Sequence, residues 1–176
     1  MEESQRPTPA VHLRPLHLED EAVARRAHEE LARDGFVFCG LLEPDMSWTD
    51  YLDALEADRR GALFPDGVAA TFLVAEAEGT IVGRTSVRHS LNASLQREGG
   101  HIGFAVRPGF RRRGYATAIL RQSLVIARAL GITDVLLTCD DDNVASASTI
   151  ERCGGVLESI AVSERQGTQI RRYWIH

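Results

Sequence analysis

Residues 100–139, GHIGFAVRPGFRRRGYATAILRQSLVIARALGITDVLLTC, constrain the fold more than any other stretch of the chain. A short strand-like run ends at Pro108–Gly109, and a turn holding three consecutive arginines follows. Apolar residues then recur at Ala116, Ile119, Leu120, Leu124, Ala127 and Leu130. That spacing is helical over about 114–130, and Gly131 supplies the stop. ITDVLLTC is almost continuously apolar, the pattern of a strand buried on both faces. A strand–helix–strand crossover of this length predicts strands at 101–106 and 132–139 that are parallel and adjacent.

The flanking sequence fills out an α/β domain. Residues 1–9 read as a flexible tail, VHLRPL as a short strand, and LEDEAVARRAHEELARDG as an amphipathic helix with acids in its first turn. FVFCGLLEP reads as an apolar loop or turn. Ser47, with Asp50 three residues on, resembles a capping box that opens a helix over 48–60. GALFPDGV is a loop, and residues 69–90 give two strands joined by a turn at Glu78–Gly79. Residues 91–99 read as a loop. After residue 139 come a short helix, NVASASTIERC, and two strands at about 156–163 and 168–175. No repeat or linker divides residues 10–176, so they are expected to form one domain.

Composition narrows the function. Net charge is −5, and the first sixty residues hold fourteen Asp or Glu against seven Arg, which argues against a nucleic-acid binder. All twenty basic residues are arginine, which removes any lysine Schiff base or P-loop lysine. Three scattered cysteines without a CxxC pair point to a reducing compartment, and six histidines show no metal spacing. No apolar run reaches membrane-spanning length, so a cytoplasmic protein without membrane contact is expected.

The arginine turn is suited to an anion. A strand that feeds a helix near Gly114 leaves unpaired N–H groups and the positive end of the helix dipole at the turn. Gly114 has no Cβ to block close approach, and Ala116 keeps the next position small. Arg111 and Arg113 can add charge-assisted bonds to phosphate oxygens.

The spacing Arg111-x-x-Gly114-x-Ala116 resembles the acyl-CoA-binding motif of the GNAT (Gcn5-related) N-acetyltransferase superfamily, and the element order resembles that fold along nearly the whole chain. IGFAV resembles the strand that meets the pantetheine arm, and NVASASTIERCGG the helix beside it. GRTSVRHSLN, GGHIGFAVRP, CDDDNVAS and RRYWI together resemble a bacterial subgroup of predicted GNAT acetyltransferases. The resemblance implies an α/β (α+β) fold: a mixed, mostly antiparallel sheet, a central parallel strand pair splayed around acyl-CoA, and helices on both faces. It implies acetyl-CoA as cofactor and a primary amine of a small molecule or peptide as acceptor, with a homodimer possible. A non-catalytic acyl-CoA-binding module of the same fold is the alternative.

Carried over residue by residue, the backbone of Phe104, Ala105 and Val106 is expected to meet the pantetheine. Arg111, Arg112, Arg113, Gly114, Tyr115 and Ala116 are expected around the pyrophosphate, with Asn143 and Ser146 on the other side. Asn143 is equally a helix cap. The Val106 N–H is expected to polarise the thioester carbonyl, and His101 to act as general base, a role open beside that of a structural strand-end histidine. Many relatives place a tyrosine seven residues after the asparagine to protonate the leaving thiolate. This chain has Ile150 there. Phe36, Phe38, Trp48 and Tyr51 suggest an apolar acceptor wall, or simply core. Arg84 and Arg88 share one strand face and could hold a carboxylate.

Overall fold

A computed structural model describes residues 9–64 and 67–176. The expected tail therefore lies outside the described residues up to residue 8, as do positions 65 and 66 of the expected loop at 61–68.

The sheet begins with β1 (His12–Arg14), β2 (Ala70–Ala77) and β3 (Thr80–Arg88), and β4 (Ile102–Val106) completes an antiparallel ladder in the order β1-β2-β3-β4. Glu78 and Gly79 both take positive φ, 51° and 73°, the turn geometry that suits the twist of a two-residue hairpin. A second sheet holds β5 (Val135–Asp140), β6 (Val156–Val162) and β7 (Gln169–Ile175) in the order β5-β7-β6.

Helices α1 (Glu21–Ala32) and α2 (Trp48–Arg59) cover one face of the first sheet. Ser47 caps α2 by accepting the Asp50 N–H at 3.1 Å, as its spacing predicts. The helix expected over 18–34, with Gly35 beyond its end, is shorter, because Leu18–Asp20 forms a separate 3-10 turn before it. The expected loop at 91–99 contains a helix, α3 (Ala93–Arg97), capped by Asn92. On the other face lie α4 (Tyr115–Ala129) and α5 (Val144–Arg152). Leu31, Phe38 and Tyr51 fill the core under α1 and α2, while Ile119, Leu120 and Tyr173 fill the core around α4. Each fully buried aliphatic side chain of this kind contributes ~1.5–3 kcal/mol.

The expected neighbours β4 and β5 share no ladder among the described residues. Their link is one bridge, Gly100 to Leu137, and it is antiparallel. Gly99 donates to Thr138 Oγ1 at 2.9 Å, and His101 donates its N–H to the Leu136 carbonyl at 2.7 Å. From Ile102 onward β4 follows β3 and leaves β5. The two sheets meet at this apex and open as a fork.

Candidate functional site

The fork exposes a strand edge. Arg107 donates its N–H to Val82 O on β3, so the preceding residue, Val106, directs its N–H to the opposite edge, toward the opening. The same alternation turns the N–H of Phe104 the same way. The Val106 carbonyl accepts from Arg111 Nε at 3.2 Å, so the arginine turn is tied to the end of β4.

The apex is held by His101. Its backbone N–H and its ring both bond Leu136, for Nδ1 accepts the Leu136 N–H at 2.9 Å. Its carbonyl goes to Arg88 N–H on β3. The side chain thus substitutes for a ladder carbonyl where β4 must turn away. Burial, and next the nearby Arg88, holds the ring below the ordinary imidazole pKa of about 6.5. With Nδ1 accepting, the ring proton sits on Nε2, and neither nitrogen has a lone pair left for an amine proton.

This clasp predicts a pH effect. The unfolded chain takes up a proton at His101 before the folded chain does, so the His101 contribution is full at high pH. It is lost as pH falls from about 6.5 through the lower folded-state value. His101→Asn, whose amide oxygen falls near the Nδ1 position, should remove that slope while keeping stability at pH 8 within ~1 kcal/mol of the natural protein. His101→Ala should cost ~1–3 kcal/mol at pH 8 by orphaning a buried N–H. Urea unfolding at pH 5.5 and 8 checks both.

Beyond β4, Pro108–Phe110 forms a 3-10 turn, and Arg112 and Gly114 both take positive φ, 63° and 85°. These two residues fold the turn back so that α4 starts at Tyr115 with no side-chain cap. Its first amides are therefore open donors, the arrangement that favours a phosphate. The three arginines differ. Arg111 Nη2 pairs with Asp34 at 2.7 Å on α1's C-terminal side. Arg113 lies over the Phe110 ring, 5.8 Å from its centre. Among the described residues neither Arg112 nor Arg113 has an ion pair. Tyr115 packs edge-on against Phe110, and Ala116 is half-buried beside it.

Arg107, to which the sequence alone assigns no role, carries the greatest burial of the arginine group. It makes a two-pronged ion pair with Glu30 at 2.8 and 2.9 Å and donates to Ile81 O. That contact anchors α1 to the cleft. Its partner lies 77 residues away, and no local pattern signals it.

Across the fork, Asn143 caps α5, accepting the Ser146 N–H at 3.1 Å. Ile150 is 1% exposed and packs in the α4–α5 core, so the usual tyrosine position carries an apolar core residue. Phe38, Trp48 and Tyr51 are likewise core, and Trp48 donates to His17 O.

An open strand edge thus lies beside the uncapped start of α4, an arrangement that suits a phosphate-bearing ligand. Residues 10–156 match the family described as the acetyltransferase (GNAT) domain, and the chain belongs to that family. Similar solved structures include Mycobacterium smegmatis RimJ in complex with CoA-disulfide, with TM-score 0.71, 20% identity, and 96% of this chain and 83% of that chain covered. Another is the acetyltransferase-like yncA from Salmonella typhimurium with acetyl-CoA, at TM-score 0.64 and 15% identity, covering 95% and 94%. A third is spermidine N-acetyltransferase from Vibrio cholerae with CoA and spermine, at TM-score 0.63 and 20% identity, covering 94% of each chain. A comparison with curated protein sequences finds no match. No described helix is long and apolar enough to cross a membrane.

Proposed function

We propose that the chain is an acetyl-CoA-dependent N-acetyltransferase that acts on a primary amine of a small molecule or peptide. The observation that carries this reading is the unpaired β4 edge opening directly onto the uncapped start of α4. Bound there, acetyl-CoA supplies an acyl group activated toward amines. The amides of Phe104 and Val106 hold the pantetheine along the edge, with Ala105 keeping the strand in register with β3. The Val106 N–H stabilises negative charge on the carbonyl oxygen as a preorganised donor. Arg112, Arg113, Gly114 and the amides of Tyr115 and Ala116 hold the pyrophosphate, while Arg111 sets the turn through Asp34 and Val106 O. Asn143 and Ser146 border the opposite wall.

His101 closes the apex of the fork rather than acting as base. The acceptor amine then reaches the cleft in its neutral form from solution. A CoA thiol ionises near the range of a free thiol, so it can depart without a tyrosine acid. The rate should therefore climb with pH toward the amine's own pKa. A plateau above pH 7 that vanishes in His101→Asn would restore the base role to the histidine.

The buried Ile150 favours one other reading, an acyl-CoA-binding module without turnover. CoA release and acetylated product, followed together over an amine panel, test the two readings. Stoichiometric product and thiol are expected. Tight acetyl-CoA binding with no product from any amine would favour the binding module.

A further inference from the structure

Arg84 and Arg88 stand apart from other buried and half-buried arginines. Arg14, Arg107 and Arg171 each meet a carboxylate at 2.7–2.8 Å. Among the described residues, Arg84 and Arg88 meet none. Their alternation along β3 sets their direction: Thr85 bonds Ser123 of α4 at 2.8 Å, and Val87 packs in the α4 core. Arg84 and Arg88 therefore face the α1–α2 side, opposite α4.

Backbone oxygens and rings hold both side chains in place. Arg84 donates to Gly103 O and Val37 O at 3.2 and 2.9 Å, and lies 4.8 Å from the centre of the Phe36 ring. Its Nε is buried and makes no hydrogen bond. Arg88 uses Nη1 on Gly99 O and Gly100 O at 3.2 and 2.9 Å, and among the described residues its Nη2 makes no hydrogen bond. Asp58 of α2 acts on Arg88 only through its field, without an ion pair. Burial, and next the neighbouring Arg88, pushes the Arg84 guanidinium down to about 10, and burial likewise lowers Arg88. Two desolvated cations side by side without an anion are costly to the fold.

Gly103 lies between them. A Cβ there would sit 3.5 Å from Arg84 Nη1 and 3.9 Å from Arg88 Nη2. One point above β4 is thus in reach of both guanidinium groups, and glycine puts no side chain there. It lies three residues along the same strand from the Val106 N–H.

We propose that Arg84 and Arg88 bind, over Gly103, a carboxylate of the acceptor, so that the substrate is an amino acid or another short amine bearing a carboxylate. The proposal rests on the acetyl transfer described above and names its substrate class. Four of the ten guanidinium N–H donors are committed to backbone oxygens, and donors left on both groups beside Gly103 can take the two oxygens of one carboxylate. A carboxylate here would offset one of the two positive charges and aim the amine along β4 toward the acyl group.

The test compares matched acceptors: glycine, 4-aminobutyrate, 6-aminohexanoate and glutamate, each against its carboxamide, together with spermidine and the aminoalkylphosphonates. At least one acid should exceed its amide in kcat/KM by ~100-fold, since a site built for a polar group rejects an analogue lacking it. Arg88→Met should erase that difference and Arg88→Lys restore part of it, with melting curves confirming that each variant folds. Equal or better turnover of the amides or spermidine would overturn the proposal and leave acetyl transfer standing. Faster turnover of the phosphonates would assign the site to phosphate instead. If no amine of any charge is acetylated, the acetyl-transfer reading falls. Binding of N-acetylglycine with CoA present then decides: ~10-fold weakening in Arg88→Met supports the anion site, and equal binding overturns it.

Discussion

Gly114→Trp is expected to weaken acetyl-CoA binding by at least ~100-fold, about 2.7 kcal/mol, while the protein stays folded. Gly114 takes φ 85° immediately before α4, and it is exposed, so a large side chain there projects over the open amides of Tyr115 and Ala116. A Cβ would also meet Pro9 Cδ at 3.0 Å, close enough that the two must shift apart slightly. The left-handed backbone adds ~1–2 kcal/mol of strain for any non-glycine residue, too little to unfold a domain of this size. Gly114→Ala separates the two effects. It carries the backbone strain without filling the cradle, so it should lose far less affinity than the tryptophan variant. Isothermal titration with acetyl-CoA reads both. Equal affinity of Gly114→Trp and the natural protein would remove the cradle from the account.

Gly100→Val should do the opposite kind of damage, collapsing the fold before it changes a ligand contact. Gly100 has φ 64° and bridges Leu137 at the apex of the fork. A Cβ there would lie 2.3 Å from Leu136 O and 2.8 Å from Leu136 C, and a strand backbone cannot step aside as a side-chain tip can. Strain at a β-branched residue with positive φ and a backbone clash act together, and the expected cost is ~4 kcal/mol or more. The His101 clasp on Leu136 would open with it. Urea unfolding should show a midpoint far below that of the natural protein, or no folded baseline. A loss under ~1 kcal/mol would mean that the apex does not hold the two sheets together.

The same residues show why some of the molecule was legible in the sequence and some was not. Ser47 and Asp50 announce α2 because a cap is a four-residue pattern, and Glu78–Gly79 announces its hairpin because a turn is a two-residue one. The helix α4 follows from its apolar spacing, and Gly114 from its place before it. The separation of β4 from β5 was legible only through family resemblance, since a continuous apolar run says that a strand is buried but not beside what. His101 is the clearest case. Its position in a strand-like run left open both a base and a structural role, and only the bond to Leu136 N–H, 35 residues away, assigns Nδ1. The pairs Arg107–Glu30 and Arg111–Asp34 each span 77 residues, so the anchoring of α1 to the arginine turn emerges only in three dimensions. The helix α3 is not legible although Asn92 is a good cap, because five residues are too few to show a helical period.

The central claim is that acetyl-CoA lies along the open edge of β4 and ends on the first turn of α4. Residue-resolved amide hydrogen exchange, with and without saturating acetyl-CoA, tests it most directly. Protection should appear at Phe104, Val106, Tyr115 and Ala116. The amides of Arg88 and His101, already bonded in the ligand-free fold, should change little. Acetyl-CoA that binds while Phe104, Val106, Tyr115 and Ala116 exchange at unchanged rates would place the cofactor elsewhere and contradict the account.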